Sequence, residues 1–228
     1  MHILIFGASG HVGTGLARQL GSEHRITGVV RSAPTGETSY APVVLPAWVE
    51  HPESVTETLT EAGLPPIDAV IAAIGGWYVD RPVLERGLSA FDEDYDSYLR
   101  GHFSACAASE ALASAGMGGS GGMGGDEAGV RIVHLALNGV ASVEALPGSG
   151  AISVFGAAQK MLIEVAAAES TTVGFRELRI MAPIGGDDRN DLSGGVETVG
   201  LAEVAAAATA ILHSPDHFEV STEIGAGD

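Results

Sequence analysis

Residues 3–16 read "ILIFGASGHVGTGL", and no other stretch restricts the fold as much. An uninterrupted apolar, β-branched run leads straight into Gly7, Gly10 and Gly13, spaced G-x-x-G-x-x-G, and an amphipathic helical pattern follows at once. A glycine turn between a strand and a helix lets the backbone approach a pyrophosphate, and the unpaired N–H groups and dipole of the helix N-terminus favour its charge. The segment therefore predicts a nucleotide-diphosphate cradle formed by Gly7, Ser9, Gly10, His11, Val12 and Gly13. A tight strand-to-helix turn with no ligand is the competing reading.

The rest of the chain repeats the alternation. Apolar runs at 2–6, 25–30, 42–45, 68–74, 130–137, 175–181 and 218–224 are separated by helical patterns at 12–20, 52–62, 91–115, 153–169 and 200–213. Runs that are near-continuous, rather than alternating with polar residues, belong to strands buried on both faces of a parallel sheet. The order predicts an α/β fold, a Rossmann-type doubly wound parallel sheet of about seven strands in three α/β/α layers. At 228 residues and 46% apolar content the chain can fill the core of one domain over 1–228. The run "GMGGSGGMGGDEAG" at 116–129 reads as a linker before the fifth strand.

The second strand ends in "GVVRS", which sets Arg31 where a carboxylate would hold the ribose of NAD. A guanidinium suits a 2′-phosphate, so NADP(H) is expected over NAD(H), with an ordinary surface arginine as the alternative. The formal charge of −18, from 29 acidic and 11 basic residues, opposes nucleic acid and anionic membranes as partners. No basic leader and no run of eighteen uncharged apolar residues is present, from which a cytoplasmic protein is expected. The single cysteine, Cys106, has no mate for a disulfide or a zinc site, and no metal is expected.

These segments together resemble the short-chain dehydrogenase/reductase superfamily over nearly the whole chain. "DAVIAAIGG" at 68–76 is similar to that family's fourth strand with its Asn-Asn-Ala-Gly signature, here Ala72, Ala73, Ile74 and Gly75. "SYLRGHF" at 97–103 resembles the helix in which a structural asparagine precedes a Gly-x-Phe step, and "VRIVHLALNG" at 130–139 the strand that ends in the catalytic serine. "FGAAQ" at 155–159 resembles the Tyr-x-x-x-Lys helix, and "RIMAPIGG" at 179–186 the Pro-Gly turn. The resemblance implies cofactor contacts from Ala73, Ile74, Gly75, Pro183 and Gly185.

In that family a serine orients the carbonyl, a tyrosine transfers the proton, and a lysine holds the nicotinamide ribose and lowers the tyrosine pKa. Here the serine position falls on Leu137 or Asn138, the tyrosine on Phe155, the lysine on Gln159 and the asparagine on Tyr98. The only lysine, Lys160, sits one residue further on. Residues four apart on a helix stand about 40° apart and residues five apart about 140°, so Gln159 shares the face of Phe155 and Lys160 points elsewhere. A proton donor must come from another position. Tyr98, Tyr78 and Asn138 are the catalytic candidates, each placed at the carboxyl edge of the sheet; packing is the competing role for Tyr98.

His11, His102 and His134 lie in or near the matched motifs, with a structural role as the alternative. "GGDDRND" at 185–191 gathers Asp187, Asp188 and Asp191 without calcium-loop spacing and reads as the solvated start of a substrate lid. Trp48 either stacks on an adenine or packs under the sheet edge. The resemblance implies a divergent NADP(H)-dependent oxidoreductase acting on a small carbonyl, enone or quinone. The missing residues favour a non-catalytic NADP(H)-binding sensor or regulator, and a non-redox enzyme on the same fold is the third reading. The alanine-rich helices at 91–115 and 153–169 resemble those through which family members pair, which implies a homodimer or homotetramer.

Overall fold

The computed structural model describes residues 1–119, 132–186 and 197–225. Seven strands form one sheet: β1 (His2–Phe6), β2 (Arg25–Val30), β3 (Ala41–Val44), β4 (Ala69–Ala72), β5 (Ile132–Gly139), β6 (Val173–Ile180) and β7 (Ser221–Ile224). Their order across the sheet is β3-β2-β1-β4-β5-β6-β7, and every neighbouring pair is parallel. The order reverses between β1 and β4, so a crevice opens there beyond the carboxyl ends of the strands. Both edge strands span only four residues, and β3 carries Pro42, devices that blunt an exposed sheet edge.

Among the described residues, six α-helices cover the two faces: α1 (His11–Leu20), α2 (Glu53–Glu61), α3 (Val83–Tyr95), α4 (Gly101–Ser114), α5 (Gly150–Glu169) and α6 (Leu201–His213). One apolar core joins α1 and α6 to the sheet through Leu16, Ile3, Ile5, Leu135, Leu178 and Ile211. The other lies under α2, α4 and α5 and holds Leu4, Phe6, Val70, Leu112, Ile163 and Phe175. Hydrophobic side chains on both faces of β1, β4 and β5 explain why these strands read as unbroken apolar runs. Helix α5 is long and apolar enough by composition to cross a membrane, yet it packs along β5 and β6 with Phe155 and Ile163 buried.

Three expectations are corrected. The helix expected over 91–115 begins at Val83, breaks at Gly87 (φ +82°), and is joined to α4 by a π turn, Asp96–Arg100. Leu84 and Leu88, 92% and 74% exposed, interrupt the apolar stripe that would have announced it. The glycine run at 116–129 is not wholly a free linker, because Ile67 donates its N–H to Met117 O (2.7 Å) and accepts one from Gly119 (3.0 Å). Its later residues lie outside the described residues, as do Asp187, Asp188 and Asp191. The seventh strand starts at Ser221 rather than 218, since Pro215–His217 form a 3-10 turn.

Candidate active site

The glycine turn after β1 is built as its spacing requires. Gly7 has φ +77°, and a Cβ there would stand 2.1 Å from the Ala73 carbonyl oxygen. A Cβ at Gly13 would meet Gly7 O at 2.2 Å. Only glycine allows β1, β4 and the first turn of α1 to meet this closely. Gly10 donates to Gly7 O (3.0 Å), and Gly10 O accepts from Thr14 N (2.9 Å), which starts the helix. No side chain caps α1, and its first turn holds no acidic residue, so the N–H groups of His11, Val12 and Gly13 remain available to an anion.

Beside this turn, beyond the carboxyl ends of β1, β4, β5 and β6, lies a cavity of about 250 Å³. Gly10, His11 and Val12 form one wall, and residues 73–77 after β4 another. Residues 137–141 at the end of β5, then Ile152, Gly156 and Gln159 of α5, form the floor. Ile180, Ala182, Pro183 and Ile184 close it from β6. Ser9 and Arg31 are exposed outside it, and Arg31 makes no side-chain hydrogen bond or ion pair with the described residues. His11 reaches across to Gly185 O (3.2 Å) and so ties the cradle to the turn after β6.

Tyr98 lies in the π turn and faces the cavity, its ring against Gly75. A side chain at Gly75, which has φ +107°, would meet Tyr98 Cδ1 at 3.0 Å. The Tyr98 hydroxyl has no hydrogen-bond partner among the described residues, and burial pushes its pKa up to about 12, with the Asp94 carboxylate adding to the rise. It is a neutral phenol with a proton to give. Tyr78 does not reach the cavity. Its hydroxyl donates to Asp94 Oδ2 (2.6 Å) and accepts from Arg86, which also pairs with Asp94 and with Asp80 (3.2 Å). Burial and Asp94 raise its pKa, so the group is locked into the support of α3.

Asn138 lines the floor, but its amide is spent. Nδ2 donates to Gly156 O (3.0 Å) and Glu177 Oε1 (2.7 Å), while Oδ1 accepts from Gly139 N (2.9 Å). Glu177 is fully buried and in turn receives Arg179 (2.8 Å) and Ser221, so Asn138 anchors α5 to β6 and β7 rather than facing a substrate. The Phe155 ring is also withdrawn, packed against Phe91 (4.8 Å) and Tyr95 (5.9 Å). Gln159 donates Nε2 to Leu137 O (2.9 Å), which leaves its carbonyl oxygen without a protein partner at the cavity. Lys160 forms an ion pair with Glu164 on the outer side of α5.

His102 and His134 are core residues. His102 donates Nε2–H to Ile74 O (3.2 Å) behind the cavity wall, and His134 uses Nδ1 on Ser109 (2.8 Å). Trp48 stacks on Phe6 at 4.6 Å and is 5% exposed, so it packs under the sheet. Cys106 is buried, and desolvation pushes its thiol up to about 12. Sequence reasoning missed Trp77 and Ile152 as cavity residues. A large apolar residue next to a glycine pair after β4 was the available signal for Trp77; Ile152 carries none.

No family model and no curated relative matches the chain. Solved structures do. A short-chain type dehydrogenase/reductase from Mycobacterium ulcerans is 16% identical with a TM-score of 0.75, over 99% of this chain and 88% of that one. A short chain dehydrogenase from Burkholderia cenocepacia, in complex with NADP, is 20% identical with a TM-score of 0.71, over 100% and 88%. A Tyr-to-Phe variant of ElxO with NADPH bound is 12% identical with a TM-score of 0.76, over 99% and 97%. This chain therefore has the fold of the short-chain dehydrogenases and reductases.

Proposed function

We propose that the protein is an NADP(H)-dependent oxidoreductase that acts on a small carbonyl, enone or quinone and uses Tyr98 as its proton donor. The observation that carries this reading is the unpartnered Tyr98 hydroxyl in the cavity beside the glycine cradle. The residues present fit the dinucleotide. Glycines stand where a Cβ would block the cradle, the first turn of α1 offers free N–H groups to the pyrophosphate, and Arg31 is an unengaged guanidinium for a 2′-phosphate. Ala73, Ile74, Gly75, Pro183 and Gly185 would border the nicotinamide end.

When bound, the nicotinamide supplies or accepts the hydride. Tyr98 then gives its phenolic proton to the substrate oxygen during reduction, and the raised pKa keeps that proton in place until the oxygen becomes basic. Gln159 Oε1, fixed through Leu137 O, accepts a hydrogen bond from a hydroxyl at the position a lysine fills in the resembling family. The solved neighbours with NADP or NADPH bound support the choice of cofactor.

Incubation with NADPH and a panel of carbonyl, enone and quinone compounds, following the absorbance of the reduced nicotinamide, tests this. Turnover supports the oxidoreductase. Firm NADPH binding without turnover favours the second reading, an NADP(H)-binding regulator or sensor, which rests on the sealed Phe155 and the tethered Gln159. No binding removes both.

Two predictions belong to this reading. Arg31→Ala weakens NADP(H) about 10–100-fold, the size of a lost charge-assisted pair, and leaves NAD(H) unchanged; calorimetry with both cofactors checks it. A homodimer or homotetramer is supported by exposed Phe103 on α4 and by Val154, Met161 and Val165 on one side of α5. Met161→Glu places a charge in that patch and lowers the mass by light scattering. A monomer mass for the unmodified chain refutes the assembly.

A further inference from the structure

The charge pattern of the cavity selects its substrate. Among the described residues that line it there is no Asp, Glu, Lys or Arg. Its polar side chains are also engaged: His11 with Gly185 O, Asn138 with three partners, and Gln159 Nε2 with Leu137 O. Tyr98 Oη is the sole hydroxyl among the described lining residues, and the other side-chain donors there, including the Trp77 indole N–H, are neutral. Arg86, the cation bound into the wall behind Tyr98, already faces Asp80, Asp94 and Tyr78. The other lining side chains are mainly apolar, and Trp77 lines the cavity while keeping 40% of its own surface exposed.

Resting on the oxidoreductase reading, we infer that the substrate is an uncharged, compact and mainly apolar carbonyl or quinone, and that counterparts bearing a carboxylate or sulfonate on the reacting portion are rejected. An anion on the reacting portion would lose its hydration and find no cation to pair with among the described lining residues. The chain's net charge of −18 adds a repulsive field before it arrives. The anionic groups of the dinucleotide take the α1 N-terminus at one wall of the cavity, and Arg31 outside it, so that anion site is used by the cofactor and not by the reacting portion of the substrate. Size points the same way: about 250 Å³ lies below the roughly 300–1,000 Å³ of ordinary ligand pockets, and the nicotinamide end takes a share. One hydroxyl and a largely apolar set of side chains suit a substrate with a single ring and one oxygen to protonate.

The test uses the full chain with NADP+ bound and two aldehydes of similar size, para-methylbenzaldehyde and para-carboxybenzaldehyde. Quenching of Trp77 fluorescence reads binding whether or not turnover occurs. The second tryptophan, Trp48, is buried against Phe6, and Trp77→Phe supplies the blank. The methyl compound is expected to bind about 10²-fold more tightly, the scale of an unpaired buried charge. Ile152→Lys, which places an ammonium at the floor, reverses the preference. Equal affinities, tighter binding of the carboxylate, or no binding of either aldehyde by protein that holds NADP+ overturns the inference and leaves the cofactor reading standing. Failure to bind NADP+ removes the oxidoreductase reading itself.

Discussion

Tyr98→Phe lowers kcat by about 10²–10⁴-fold, the usual contribution of a positioned general acid, and changes NADPH affinity by less than about twofold. The ring that fills the space over Gly75 stays in place, so the cavity wall and the π turn keep their shape. Only the hydroxyl is lost, and no other hydroxyl among the described residues lines the cavity; the Trp77 indole N–H can donate a hydrogen bond but is too weak an acid to give up its proton. Steady-state kinetics beside a calorimetric NADPH titration separate the two effects. Because burial holds the Tyr98 proton up to about 12, the unmodified protein should show, under the proposed activity, kcat with no fall on the alkaline side of neutrality. Unchanged kcat in the variant would mean that Tyr98 is wall and that the proton comes from water.

Acid should unfold the protein well before its carboxylates are all neutral. Burial lowers His102 to about 4 and His134 to about 3, against 6.5 in an unfolded chain. Their surroundings explain why neither can accept a proton cheaply. His102 Nδ1 is buried with no partner, and His134 Nε2 faces the Cys106 sulfur at 3.9 Å. Between pH 6.5 and these lowered values the unfolded chain binds protons that the fold refuses, so stability is full above 6.5 and drains as pH falls. The His102 shift alone amounts to about 3 kcal/mol, a large part of the ~5–15 kcal/mol that holds a domain together.

Urea titrations at stepped pH check this. His102→Gln and His134→Asn each keep one hydrogen bond and should flatten the slope near pH 5 by about 1.4 kcal/mol per pH unit. The isoelectric point of 4.6 means that global repulsion shrinks across the same window, so it cannot produce the loss. A flat profile from neutrality to pH 4.5 refutes the assignment.

The sheet and the cradle were legible because both are written in local backbone terms. Continuous apolar runs reveal doubly covered strands, and the separation of Gly7, Gly10 and Gly13 encodes close approaches that only a missing Cβ permits. The outward direction of Lys160 followed from helical angles alone. Side-chain commitments were not legible, since they depend on partners far away in sequence. Asn138 meets Glu177, 39 positions on, and Tyr78 meets Asp94, 16 positions on. The same applies to Phe155, which is withdrawn because α3, hidden by its exposed leucines and Gly87, brings Phe91 and Tyr95 over it.

The π turn at Asp96–Arg100 holds one residue more than the helix on either side needs, and so fixes the angular phase between α3 and α4. Loss of a single residue there would leave both halves helical and the seven strands untouched. It would also swing α3 by about 100° around its axis, carrying Asp94 off Tyr78 and Phe91 off Phe155. The support behind Tyr98 and Phe155 thus hangs on the count of residues in a single turn.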